Sequence, residues 1–441
     1  MRRSISVGAA ALSLTLVLAA CTSTSENNTT SPTEPDGTGT ESEAPTEEPV
    51  AGDTCEDAIA NPAESTGTAI TLWVDETRID FFTEIKECYE AKSGVTLDLV
   101  QKVQDDTRAE LIAQAAQSTG PDVFIGAHDW LGELQANGVV SDVPLAGSAD
   151  LFAETAVTAA TFNGQTYGVP VNMENIALIR NNELTTETPA TWDEALAIAA
   201  ELGDMTFPVG IQIGGGGAPY NTFPLQSSFG VGVLGQDEDG SFNNTVLLGE
   251  NGAAYAQFLA DAGAQGILTD SMEYDVVQDT FMDGKTPFVI SGPWMSSAFV
   301  GAGMDVSILP VPSAGGEEAR PFAGVQLAYV GAYAQNKADA LDFVLNFIGS
   351  EEIQIKLYEE LGRVPALKSA AQSEIVQADE HIAGFAEAGK NALPMPNIPA
   401  MGAFWDDWGN AIIDILNGNA ADPAARWAQA VTNIEGLIAA S

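Results

Sequence analysis

The chain is 441 residues long and carries 62 Asp and Glu against 16 Lys and Arg, a formal net charge of -46 at pH 7. A field of that sign repels DNA, RNA, anionic headgroups and polyphosphates, which argues against nucleic-acid partners and favours neutral or cationic ligands, although acidity also simply keeps an exported surface soluble. Three Cys and two His, in no ligand spacing, point to no metal and no cofactor.

Residues 1–20 read as a secretory signal: Arg2 and Arg3 precede an apolar run from Ile5 to Ala20 that is too short to span as a mature transmembrane helix. Leu18, Ala19, Ala20 and Cys21 resemble a bacterial lipobox, which implies lipidation of Cys21 and anchoring at the extracellular face of the cell membrane. The alternative is an ordinary cleavage site that happens to precede a Cys. Residues 21–53 are Ser, Thr, Pro, Glu, Asn and Gly with almost nothing apolar, a composition that cannot bury enough surface to fold and so reads as a tether. Cys55 and Cys88 remain, and outside the cytoplasm two thiols in one folded body pair.

The roughly 390 residues that follow exceed what one core usually supports, so two lobes are expected. The spacing predicts a strand over Ala69 to Val74, a helix over Arg78 to Lys92 ending before Gly94, a strand over Val95 to Val100, a helix over Asp106 to Gln117 and a strand over Asp122 to Ile125. This βαβαβ order implies a largely parallel sheet covered by helices. The pattern then restarts: a strand over Ile176 to Arg180, a helix over Trp192 to Leu202 with Thr191 as N-cap and acids Asp193 and Glu194 in its first turn, and a strand over Phe207 to Ile213. Lys337 to Leu361, Phe404 to Leu416 and Ala424 to Ala439 read as helices, the last burying Trp427, Val431 and Ile434 or Ile438.

Two stretches carry chemistry. Ser291-Gly292-Pro293-Trp294 and Met395-Pro396-Asn397-Ile398-Pro399, the latter leading to Phe404-Trp405, are rigid turns that each deliver an indole, suited to stacking on the apolar face of a sugar while carboxylates take its hydroxyls. Gly284-Lys285-Thr286 imitates the end of a P-loop, but Asp279 stands where the earlier glycine is required and Pro287 to Ile290 reads as strand. Gly214 to Gly217 lacks nearby cations and reads as a flexible loop at a cleft edge.

Several ordered motifs make the chain resemble the bacterial maltose/maltodextrin-binding proteins, solute-binding proteins of carbohydrate ABC importers. They are Gly120-Pro121-Asp122 leading to Ala127-His128-Asp129, Phe162-Asn163-Gly164 leading to Pro170, Thr191-Trp192-Asp193-Glu194, Gly292-Pro293-Trp294, and Met395 to Pro399 leading to Trp405. The resemblance implies an α/β, two-lobe periplasmic-binding-protein-like fold with crossing hinge strands near Asn172 to Ala177 and Ser307 to Pro310. The N-terminal lobe is then 54–172 plus 311–363 and the C-terminal lobe 173–310 plus 364–441. It further implies a monomer, not an enzyme, that captures an oligosaccharide and hands it to a permease with a cytoplasmic ATPase.

Residue by residue, the resemblance implies that Trp294 and Trp405 stack on sugar rings and that Glu174 and Asp129 accept from hydroxyls. Tyr220 matches a ring that lies against the ligand, without the acid normally found at Ala218. Thr77 and Arg78 fall where the family has an acid and a lysine. The alternative for each is ordinary: a core Trp, a solvated carboxylate. Trp408, with no stacking counterpart, is assigned to the core. The largest departure is Gly126, where the family has a stacking Trp; either Trp130, four positions on, supplies the ring, or a subsite has opened. Two other classes stay open: a secreted hydrolase using two carboxylates, and a receptor for a cyclodextrin, isomalto- or trehalose-type sugar.

Overall fold

The computed structural model describes residues 55–440 apart from 146 and 239; the signal at 1–20, Cys21 and the tether at 21–53 lie outside the described residues. The strands Ala69–Asp75, Thr96–Lys102 and Val123–Ala127 pair in parallel, with Ala69–Asp75 in the middle, as the βαβαβ order requires. Between them lie the helices Ile79–Ser93 and Gln104–Ala115. The first stops at Gly94, whose φ of 72° is left-handed and whose site has no room for a Cβ against the Glu64 carbonyl. Cys55, at the start of the helix Cys55–Ala60, is bonded to Cys88 of the helix Ile79–Ser93.

The sheet is mixed, where a largely parallel one was expected. Phe322–Val330 runs antiparallel to both Val123–Ala127 and Gly168–Glu174, and Val364–Pro365 extends the far edge. The second sheet orders Val306–Leu309, Ala177–Asn181, Phe288–Ser291 and Gly210–Ile211, with Ala177–Asn181 antiparallel to both neighbours. The reason is topological: strands that cross from the opposite lobe enter each sheet against the direction of its own βα units.

Among the described residues two large hydrophobic cores result, one under each sheet, with a small third cluster of Tyr358, Val376 and Ile382. The chain first passes between the two large cores just after Glu174, where Met173 still packs on the N-terminal core and Ile176 is buried in the C-terminal one. The other boundaries differ from those expected at 310/311 and 363/364. Val311, Ala319 and Phe322 are buried in the C-terminal core, so the second crossing lies within the strand Phe322–Val330. Ala366, Leu367 and Ala370 are buried in the N-terminal core, and the chain returns only near Phe385.

Two elements are shorter than the sequence suggested. Of Phe207 to Ile213 only Gly210–Ile211 is strand, because a buried apolar run reports burial and not ladder pairing. Lys337 to Leu361 is broken into Lys337–Asp342, a π-helical turn Phe343–Ile348 and the helix Glu351–Leu361, which Ser350 caps through its hydroxyl to the Ile353 amide. Trp192–Leu202 forms with the full capping box between Thr191 and Glu194. Pro423–Ala440 buries Trp427, Ala430 and Ile434, with Val431 and Ile438 half-buried. Among the described residues no helix is long and apolar enough to cross a membrane.

Candidate functional site

Between the lobes lies a cleft of about 510 Å³, and all eight residues singled out from the sequence, Thr77, Arg78, Asp129, Trp130, Glu174, Tyr220, Trp294 and Trp405, line it. A second hollow, about 10 Å³ beside Phe124, has room for about one water.

The C-terminal lobe presents rings. Tyr220, Tyr274, Trp294 and Trp405 each stand in the first turn of a helix, Pro219–Ser227, Tyr274–Met282, Pro293–Gly301 and Trp405–Leu416. The aim of Trp294 is set locally: Pro293 starts the helix with its fixed φ, and any Cβ on Gly292 would overlap the indole. Tyr220 stacks on Phe322 with centroids 6.0 Å apart and stands 6.1 Å from Trp294 at a tilt of 45°. Trp405 stacks on Trp408 at 5.7 Å and 17°, and Trp408 is fully buried with its indole N–H on Gln226 Oε1 at 2.8 Å.

The N-terminal lobe presents charges, at the C-terminal ends of its parallel strands, where open α/β sheets place ligands. Asp75, at the end of its strand, is ion-paired with Arg78 and accepts from the Thr77 hydroxyl at 2.5 Å. Burial works to raise the Asp75 carboxyl, but Arg78, Arg363 and the Thr77 hydrogen bond hold it at about 2. Thr77 Oγ1 in turn accepts from Arg363 Nη2 at 2.8 Å. Thr77 and Arg78 are therefore both engaged within the protein, and Arg78 is only 2% exposed.

Asp129 is buried, and burial pushes its carboxyl up to about 7, with the Arg108 cation opposing, Glu133 reinforcing and the nearby Trp405 side chain working to lower it. Trp130, only 8% exposed and packed in the N-terminal core, folds back over Gly126 and lines the cleft. Glu174 ends the crossing strand Gly168–Glu174. Its Oε1 accepts from Gln326 Nε2 at 2.9 Å and its Oε2 lies 3.7 Å from Arg363 Nε. The Tyr220 hydroxyl is buried with no partner, and burial together with the Glu174 and Asp129 charges raises it well above the ordinary phenol value, so it stays protonated.

His128 has a structural role. Its Nδ1 accepts from the Val325 amide at 3.1 Å, which leaves Nε2 to donate to the Met395 carbonyl at 3.1 Å; burial lowers it to about 4, so it is neutral. The Asn397 amide donates to the Ala159 and Thr161 carbonyls, and the backbone at Asn397 to Pro399 packs on Gly132, fixing the loop that delivers Trp405. Among the described residues no group of three or more His, Cys, Asp and Glu could hold a metal ion.

The sequence reading missed Asp75, Arg108, Tyr274, Gln326 and Arg363, all of which line the cleft. Only Asp75 had a local signal, as a polar residue closing an apolar strand. Gly214, Gly215 and Gly216 do line the cleft edge, and Phe288–Ser291 after the P-loop imitation is strand.

Known proteins match this architecture. The bacterial extracellular solute-binding protein family matches residues 84–384. A maltooligosaccharide ABC transporter solute-binding lipoprotein of Streptococcus pneumoniae is 27% identical over 83% of this chain and 88% of its own length. A galactooligosaccharide-binding protein of Bacillus subtilis is 26% identical over 86% of this chain and 91% of its own. The structure of the Thermus thermophilus maltotriose binding protein bound with maltotriose superposes with a TM-score of 0.76 at 30% identity, covering 84% of this chain and all of that one. With a family match across more than half the chain and a two-lobe fold to accompany it, the chain belongs to the bacterial extracellular solute-binding proteins.

Proposed function

We propose that the protein is the sugar receptor of an ABC importer and takes malto-oligosaccharides into the cleft between its lobes. The observation that carries this reading is the pairing of surfaces across one cleft: four aromatic rings on one wall, and on the other the carboxylates of Glu174 and Asp129 with Trp130. Flat rings cover the apolar faces of pyranoses, and a carboxylate accepts from adjacent hydroxyls, reading their spacing. Micromolar capture needs about 8 kcal/mol, within reach of two or three stacked rings and a few charge-assisted hydrogen bonds. Lobe closure around the sugar is the domain motion that this fold allows.

The ligand leaves unaltered in this reading. Asp129, although raised by burial, lies near the Arg108 cation and the Trp405 side chain, both of which work to lower it, an environment that suits an acceptor for sugar hydroxyls. The protein acts as a monomer, held to the outer face of the membrane through a lipid on Cys21, and delivers its sugar to permease subunits driven by a cytoplasmic ATPase.

Calorimetry against maltose, maltotriose, cyclodextrin, isomaltose, trehalose and a galactotriose tests the sugar class. Tightest binding of maltotriose or a longer α-glucan is expected. Preference for the galactotriose would replace the malto-oligosaccharide assignment, and product formation on incubation with maltotriose would replace the receptor by a hydrolase.

A further inference from the structure

The wall around Glu174 holds several polar atoms that are buried and unpartnered: Tyr220 Oη, Gln326 Oε1, Arg363 Nε, and Nε and Nη2 of Arg78. Native interiors keep such atoms rarely, and mostly where a group is held for a purpose other than stability. Arg363 has contacts on every side of this wall. Its Nη2 reaches Thr77, 286 residues away in the chain, at 2.8 Å. Its Nε stands 3.7 Å from Glu174 Oε2, too far for a hydrogen bond and close enough to act by charge. The next residue, Val364, pairs with Met173, the neighbour of Glu174 on the crossing strand. Burial and the nearby Arg78 lower Arg363 to about 10, with Glu174 and Asp75 opposing, so it remains a cation at neutral pH.

The residues before it are pinned from the other lobe. Ser297, on the helix that begins with Pro293 and Trp294, donates to the Leu361 carbonyl at 2.7 Å. A Cβ on Gly362, which sits at φ 60°, would come 2.5 Å from Ser297 Oγ. The three residues Leu361 to Arg363 thus touch the helix that carries Trp294, the loop that carries Thr77 and the carboxylate of Glu174.

We propose that Arg363 is a positioning residue of the cleft: it holds Thr77 and the Glu174 carboxylate in one fixed relation, and through Leu361 and Gly362 it ties that relation to the helix of Trp294. The proposal rests on the reading that Glu174 accepts from sugar hydroxyls. A guanidinium suits the task because its planar fork addresses Thr77 and Glu174 with separate nitrogens, which an ammonium cannot do.

The test is a double-mutant cycle in the full chain between Arg363→Met and Glu174→Gln, with Arg363→Lys as a milder variant that carries the same cycle if the methionine variant does not fold. Maltotriose affinity is read by calorimetry, and melting temperature is read without sugar. Arg363→Met should lower affinity at least tenfold and Arg363→Lys should restore only part of it. In the Glu174→Gln background the same change should cost less than threefold, because residues that act as a unit are not additive. Additive affinity losses would overturn the proposal and leave Arg363 a merely structural group. A wild type that binds none of the sugars would sink the sugar reading separately; the melting temperatures then decide, coupling supporting the Arg363–Glu174 unit and additivity overturning it.

Discussion

The indole of Trp130 occupies the space that a side chain at Gly126 would take: a Cβ built there would lie 2.6 Å from Cζ3 of the ring. The pair is therefore one feature, a glycine that makes room and a ring that fills it. Gly126→Ala should push the ring out of place. Overpacking of this kind typically costs about 1–3 kcal/mol of stability. A drop in melting temperature with a changed tryptophan emission is expected, together with weaker maltotriose binding; unchanged emission and affinity would show that Trp130 does not depend on that glycine.

Trp294 is held by its own turn and packs only half-buried at the edge of the C-terminal core, so its loss should act more on ligand than on fold. Trp294→Ala should weaken maltotriose binding by about 2 kcal/mol or more, as a central ring does in a desolvated site. Circular dichroism and melting should stay close to wild type. An unchanged titration would remove Trp294 from the site.

Asp129 titrates at about 7 in the folded protein, raised by burial from the ordinary carboxyl value of 3.8. Between about pH 4 and 7 the unfolded chain has released a proton that the folded protein still holds, so this group's contribution to stability falls as pH rises and levels off above 7. Asp75, held at about 2, acts in the opposite direction and only in acid, its contribution being present above about pH 4 and lost as pH falls toward 2. Melting curves of wild type and Asp129→Asn should lie closest near pH 4.5 and separate by pH 8, with wild type the lower; parallel profiles would contradict the assignment. Maltotriose affinity should run the other way, rising from pH 6 to 8, since only the ionised acid accepts from two hydroxyls without donating.

Cys55 and Cys88 close a loop across 33 positions, tying the helix Cys55–Ala60 to Ile79–Ser93. By the chain-entropy model that crosslink contributes about 3–4 kcal/mol. Reduction should therefore lower the melting temperature while leaving sugar affinity close to wild type, because neither cysteine lines the cleft. A parallel loss of affinity would mean that the crosslink also shapes the site.

Much of the lobes was legible in the chain. The periodicities of Ala69–Asp75, Ile79–Ser93 and Trp192–Leu202 arise from interactions within a turn or a strand, and their stops, Gly94 and the Thr191 capping box, are equally local. The break inside Lys337 to Leu361 had a local signal too, Gly349 followed by Ser350 and two acids, outweighed by a long apolar periodicity.

Periodicity, caps and compartment, together with rings delivered by proline turns, are written into neighbouring residues, and from them the two lobes and the indoles of Trp294 and Trp405 could be named. Thr77, Arg78, Asp129, Trp130, Glu174 and Tyr220 were named only through the family resemblance. Tertiary structure alone decided the mixed strand directions, the crossing within Phe322–Val330, the folding of Trp130 over Gly126, and the joining of Arg363 to Thr77 and Glu174. The physical reason is distance along the chain: a buried ion pair or a filled notch depends on partners brought together only when both cores have formed, and no window of neighbouring residues contains them.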